Sequence, residues 1–179
     1  MRNYSLFFIV VYICFFVIGC APQKYPQHGL YNQKKNSFLR LDIDKTNSTF
    51  EDNEILLSIS ANENAEYFTL TIENKTKTDI LLDWTTAHFL DNGRPNGGFM
   101  LEGETYSKRT EQKHPFLVLP NSSNSIRIFP NNNISYSQIL SRWHHQPMTS
   151  GTFGLYAKPK IDGREKAIKV TVGIRETYY

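Results

Sequence analysis

The sequence predicts an all-β protein built as an antiparallel β-sandwich of seven to nine strands, and two observations predict it. Beyond residue 36, apolar residues fall at every second position, the period of a half-buried strand, and no stretch of ten or more residues holds a 3.6-residue period. Turn-forming Asn, Asp, Gly and Pro residues recur between these stretches at short spacing.

Leu39, Leu41 and Ile43 alternate with Arg40 and Asp42, and Phe68, Leu70 and Ile72 alternate with Tyr67, Thr69 and Thr71. Ile80, Leu82 and Trp84 repeat the pattern around Leu81 and Asp83, which makes Trp84 a core or rim aromatic. Near the end, Ile168, Val170, Val172 and Ile174 alternate with Lys169, Thr171 and Gly173 and are expected in the core of a central or covered strand. Shorter strands are predicted over 55–60, 87–91, 116–119, 125–129 and 152–158. Asn74-Lys75-Thr76, Asp91-Asn92-Gly93, Pro120-Asn121-Ser122-Ser123, Pro130-Asn131-Asn132-Asn133 and Asp162-Gly163 punctuate them; Asn and Asp tolerate φ > 0, and the Asn-Gly and Asp-Gly pairs suit two-residue hairpins. In the stretch from Tyr136 to Met148, Ile139, Leu140 and Trp143 can share one side of a helical turn, so a short helix or crossover loop is expected. Tyr106 and Arg109, among charged neighbours, read as an exposed loop.

This spacing of strands and turns is that of an immunoglobulin-like sandwich, without the cysteine-tryptophan-cysteine core of antibody domains. A lipocalin-like barrel is the rival, but no glycine-x-tryptophan precedes Trp84.

Ahead of the β region, Arg2 sits in a short polar start, followed by mostly apolar residues from Leu6 to Ile18 and the run Val17-Ile18-Gly19-Cys20. That apolar run is shorter than the roughly 20 residues a membrane-spanning helix needs. The run ending at Cys20 resembles a bacterial lipobox. The resemblance implies a signal peptide over 1–19, a diacylglyceryl thioether on Cys20 and an acyl chain on its new amine, palmitate-type modifications that hold the protein at the cell membrane or outer membrane. Ala21, rather than Asp, follows Cys20, and within that family this favours the outer membrane. Cys14 lies inside the apolar run and leaves with the signal, so Cys20 is the one cysteine expected to remain, and disulfides and cysteine-ligated zinc are excluded. Residues 20–36 hold two prolines and three glutamines with no apolar period and read as a flexible tether of roughly 50 Å when extended. Residues 37–179 form the sandwich domain.

Removing residues 1–19 takes one of 20 Lys and Arg, leaving 19 against 17 Asp and Glu, a net charge of +2. With no basic run interleaved with aromatics, a nucleic-acid partner is not expected. No G-x-S-x-G, H-E-x-x-H or phosphate-loop pattern occurs. Asp42-Ile43-Asp44 matches the start of a calcium loop, but Asn47 replaces its glycine and Asn53 its final glutamate. His144 and His145 are adjacent, so on a strand they point to opposite faces and are poorly placed to share one ion. No metal, cofactor or catalytic residue is therefore expected beyond the covalent lipid on Cys20. Four Asn-x-Ser/Thr sequons, at Asn47, Asn74, Asn121 and Asn133, are expected to be unmodified in a bacterial protein.

Glu73-Asn74-Lys75-Thr76, Ile80-Leu81-Leu82-Asp83-Trp84, Phe89-Leu90-Asp91, Leu119-Pro120-Asn121-Ser122-Ser123 and Ile128-Phe129-Pro130 together resemble a group of small β-sandwich lipoproteins. Those proteins usually carry glycine after the proline, where Asn121 stands here, and the group implies no catalytic residue. Two functions are expected on these grounds. One is a noncatalytic, membrane-anchored lipoprotein presenting its sandwich to an envelope protein partner for interaction or assembly. The other is a periplasmic binding module for a small ligand, glycan or metal, with Trp143, His144, His145 and Tyr106 as its site.

Overall fold

A computed structural model of the protein describes residues 39–178. The expected signal peptide, Cys20 and the tether lie outside the described residues. In chain order the first strands are β1 (Leu39–Asp44), β2 (Thr49–Glu51), β3 (Ile55–Ala61), β4 (Phe68–Asn74) and β5 (Ile80–Leu82). There follow β6 (His88–Asp91), β7 (Arg94–Pro95), β8 (Phe99–Leu101), β9 (Phe116–Val118) and β10 (Ser123–Pro130). The last are β11 (Ile134–Ser137), β12 (Arg142–His145), β13 (Gly151–Ala157), β14 (Lys160–Ile161), β15 (Arg164–Glu165) and β16 (Ile168–Tyr178). Sixteen strands are described, nine of them four residues or longer.

The architecture is an antiparallel sandwich. One sheet has the order β1-β16-β13-β6-β7 and the other β2-β3-β4-β10-β8. A third sheet, β15-β14-β5-β9, adds Ile80, Leu82, Val118 and Ile161 to the same core. The alternation seen in sequence sets which face is buried: Ile55, Leu57 and Ile59 of β3, Phe68, Leu70 and Ile72 of β4, and all four predicted residues of β16 are buried. The two main sheets meet through aromatics, with Phe89 of β6 stacked on Phe153 of β13 at 6.1 Å and 2° and lying 6.3 Å from Phe68 of the opposite sheet. β16 lies between β1 and β13, a central strand as its uninterrupted apolar face predicts.

Two turns show the residue chemistry read from the sequence. Asn92-Gly93 joins β6 to β7 with φ of 48° and 79°, and Asp162-Gly163 joins β14 to β15 with φ of 49° and 74°. Both central residues are left-handed, as a type I′ hairpin requires. Gly154 has a different reason to be glycine: on β13 a Cβ there would collide with the Val170 carbonyl of β16. Trp84 departs from the strand pattern, because the Asp83 side chain accepts from Thr85 N at 2.8 Å and caps a 3-10 turn over Trp84–Thr86. Its ring is nonetheless only 7% exposed.

Asn74 is one of the two buried polar side chains among the described residues, at 1% exposure. Its Nδ2 donates to Thr78 O at 2.7 Å and Val118 O at 3.0 Å, and its Oδ1 accepts from Thr76 N and Thr76 Oγ1. All of its amide chemistry is used internally, which removes this sequon's nitrogen from the surface.

Candidate functional site

Two expectations are corrected at once in the region of the expected ligand residues. The stretch from Tyr136 to Met148 is neither helix nor crossover loop: β11 and β12 form a separate antiparallel hairpin, with Tyr136 opposite Trp143 and Ile134 opposite His145. Ile139 and Leu140, which suggested a helical face, occupy its connecting turn, where Ser141 takes a positive φ of 48°. Tyr106 and Arg109 are likewise not a solvated loop. They belong to a 3-10 turn over Tyr106–Lys108 and its C-cap, and both are half-buried against the hairpin.

The Tyr106 ring stacks on Trp143 at 5.6 Å and 15°, and its hydroxyl lies 3.0 Å from His145 Nε2. Arg109 donates from Nη1 to Tyr106 O at 2.9 Å and sets its guanidinium 4.8 Å from the centre of the Trp143 ring. His145 also stacks on Phe129 of β10 at 4.6 Å, and Phe129 lies 5.2 Å from Tyr67. On the outer side, Tyr136 meets Trp143 edge-on at 5.3 Å. The structure thus brings Tyr106, Trp143 and His145 together. His144 faces away, as adjacent strand residues must, and its Nε2 lies 2.9 Å from Ser135 Oγ.

The electrostatics favour a neutral His145. Burial pushes its pKa below the ordinary value of 6.5; the Glu66 carboxylate opposes this and His144 reinforces it. The Nδ1 atoms of both histidines are buried and, among the described residues, have no hydrogen-bond partner. Ser135 and His144 therefore form a hydroxyl–imidazole pair without the carboxylate that would orient the ring in a nucleophilic triad. Among the described residues no group of three or more His, Cys, Asp or Glu is placed to hold a metal. Stacking and cation–π contact are the chemistry this cluster offers.

Two open features adjoin other elements. A cleft of about 550 Å³ is lined by Trp84, Phe99, Arg109, Lys113 and Asn131. Trp84 Nε1 and Asn131 Oδ1 are buried and unpartnered among the described residues. A larger groove of about 870 Å³ runs along β1 from Arg40 to Lys45, with Glu63 and Arg175 on its walls. β1 is an edge strand, hydrogen-bonded to β16 on one side only among the described strands.

Sequence reasoning missed Phe129, Tyr136 and Arg109 as members of the cluster. The readable signal was the spacing of Ile134 and Tyr136 on one arm and Trp143 and His145 on the other, with four residues, Gln138 to Ser141, between the strands. No protein-family model matches this chain, and no curated protein or solved structure matches it.

Proposed function

We propose that this protein is a noncatalytic lipoprotein, held at the bacterial envelope by acyl chains on Cys20, whose sandwich docks an envelope protein by strand addition. The anchor half rests on the run Val17-Ile18-Gly19-Cys20, and Ala21 favours the outer membrane. The docking half is carried by one observation, the outer edge of β1, which has no partner among the described strands and carries an open groove along it. An edge strand exposes backbone donors and acceptors at the strand period, which an incoming segment can pair with. Arg40, Asp42 and Asp44 stand exposed along that edge and discourage indiscriminate pairing while selecting a partner of complementary charge.

The test is photo-crosslinking in cells. A photoreactive amino acid at Asp42 should give one dominant protein adduct, and the same residue at exposed Lys77, between β4 and β5, should not. No adduct at Asp42, or equal adducts at both positions, contradicts the docking reading.

A second reading, a binding module for a small ligand, is favoured by the cleft at Trp84 rather than by the expected histidines. A molecule carrying both an acceptor and a donor would answer Trp84 Nε1 and Asn131 Oδ1, which are buried and unpartnered among the described residues, and Arg109 belongs to both this cleft and the aromatic cluster.

A further inference from the structure

We infer that the tip of the β11–β12 hairpin seats in the interface of an anionic lipid bilayer, so that the globular domain touches the membrane as well as being tethered to it. This rests on the anchored reading above, which supplies the bilayer, and adds to it a second, noncovalent contact.

Ile139 is 95% exposed and Leu140 58%, two adjacent aliphatic side chains at a turn, where polar residues are the rule. Behind them on the ladder, one rung past the Ser137–Arg142 pair, stand Tyr136 and Trp143, opposite each other in register. Tyr and Trp concentrate at the headgroup level of membranes, where an aromatic body and a polar tip are both satisfied. Behind these, at the base of the hairpin, comes the His145–Phe129 stack. The order along the hairpin is aliphatic, then amphipathic aromatic, then packed protein, which is the order of environments from acyl chain to headgroup to water.

Charge agrees with that orientation. From Gln112 to Ile161 the chain contains no Asp or Glu. Exposed Arg142 opens β12, exposed Lys108 lies beside Arg109, and Arg109 itself covers Trp143. Of the carboxylates that bear on this region, Glu104 is 3.4 Å from Lys113, Glu111 is exposed three residues after Lys108 and offsets part of the charge of that turn, and Glu66 acts on His145 at the hairpin base, away from the tip. Cations held near the surface are attracted to anionic headgroups within a Debye length.

Width decides between bilayer and protein. A stable protein interface needs about 1,000 Å² or more of well-matched surface, and two aliphatic side chains with one ring edge do not supply it. A bilayer accepts a narrow protrusion. The chain from Cys20 to the start of β1 spans at most roughly 68 Å when fully extended, which keeps the domain near the membrane that holds the anchor.

The experiment uses the full-length acylated protein reconstituted in vesicles of phosphatidylethanolamine and phosphatidylglycerol, with and without bromine on the acyl chains. Trp84 is 7% exposed and emits as well, so its quenching is measured in the Trp143→Phe variant and subtracted, which leaves Trp143 as the reporter for bromine quenching. The inference expects bromolipid to remove most of the Trp143 emission, and the Ile139→Asp/Leu140→Asp variant, whose exposed sites leave the fold intact by circular dichroism, to restore it. As an independent reporter, Ile139→Trp in a Trp143→Phe background should be quenched more deeply than Trp143. Protein that sediments with the vesicles but shows no quenching, or equal quenching in the double Asp variant, overturns the hairpin contact and leaves the anchor standing. So does an unquenched Trp143 whose emission changes with protein concentration, the mark of a second copy on the tip. Protein that stays in the supernatant overturns the anchor and the contact together.

Discussion

The Tyr106 hydroxyl lies 3.0 Å from His145 Nε2 and joins a 3-10 turn to a hairpin 39 residues further along the chain. Among the described strands β11 and β12 pair only with each other, and a two-stranded hairpin alone is marginally stable in water. The stack of Tyr106 on Trp143, the hydrogen bond and the Phe129 ring under His145 hold it against the sandwich, together with buried Ile134 of β11 and with Met148 just after β12, which packs in the core and donates its N–H to Ala65 O at 2.9 Å.

His145 makes that attachment sensitive to mild acid. Burial holds its pKa below 6.5, so the folded chain keeps the ring neutral where the unfolded chain takes up a proton. With more protons bound in the unfolded state, stability falls as pH drops through 6.5 toward the folded value. The urea midpoint should therefore decline from about pH 7 to about pH 5, and His145→Phe, which keeps the ring contact without titrating, should flatten this decline. A wild-type midpoint flat over that range contradicts the assignment.

At the β14–β15 hairpin, Lys166 bonds to Asp52 and lies 2.5 Å from Glu54, while Arg164 reaches Glu54 at 2.9 Å. Burial pushes the Asp52 carboxyl up, but the Lys166 hydrogen bond and the backbone N–H groups of Glu54 and Ile55 hold it below its usual range. Glu54 is lowered chiefly by Lys166, and Lys166 is raised chiefly by Asp52. The lowered carboxylates contribute stability above their unfolded pKa values and lose it as pH falls through the folded ones. The raised lysine contributes below 10.5 and loses its contribution as pH climbs through its folded value. Lys166→Met should shrink the acid-side loss measured by thermal unfolding, modestly, because these groups are partly solvated. An unchanged acid limb contradicts the coupling.

Gly154→Ala should destabilise by about 3 kcal/mol or more, because the new Cβ meets backbone that cannot move without breaking the β13–β16 ladder. Gly98→Ala, whose Cβ has no neighbour nearer than 3.7 Å, is the control and should change stability by no more than about 0.5 kcal/mol. Equal effects in chemical denaturation refute the close approach.

Asn74→Ala should cost about 3 kcal/mol, since it strands the Val118 carbonyl and the Thr76 amide in or near the core. A loss below about 1 kcal/mol would mean that solvent reaches these groups.

What was legible in the sequence was whatever a local pattern determines. Period-two alternation located β3, β4, β13 and β16 to within a residue or two at their starts, because one face of each is buried and a one-residue slip would invert it. Asn92-Gly93 and Asp162-Gly163 located their hairpins through backbone sterics. The β11–β12 hairpin was not legible, because Ile139 and Leu140 are apolar for a reason other than core burial and so imitated a helical face. Arg109 was misread because its charge suggested solvent, while its partner, the Trp143 ring, comes from a distant strand. Of the candidate residues, Tyr106, Trp143 and His145 are neighbours in space, a juxtaposition that no local pattern encodes.

The lipid anchor is tested most directly by intact mass and membrane partitioning of the full chain expressed in a bacterium, beside a Cys20→Ser variant. The expected result is a wild-type mass equal to the chain from Cys20 plus its acyl groups, found in the membrane fraction, with both the added mass and the membrane association lost in the variant. A soluble wild type with an unmodified Cys20 would contradict the anchor and return the protein to the reading of a free binding module.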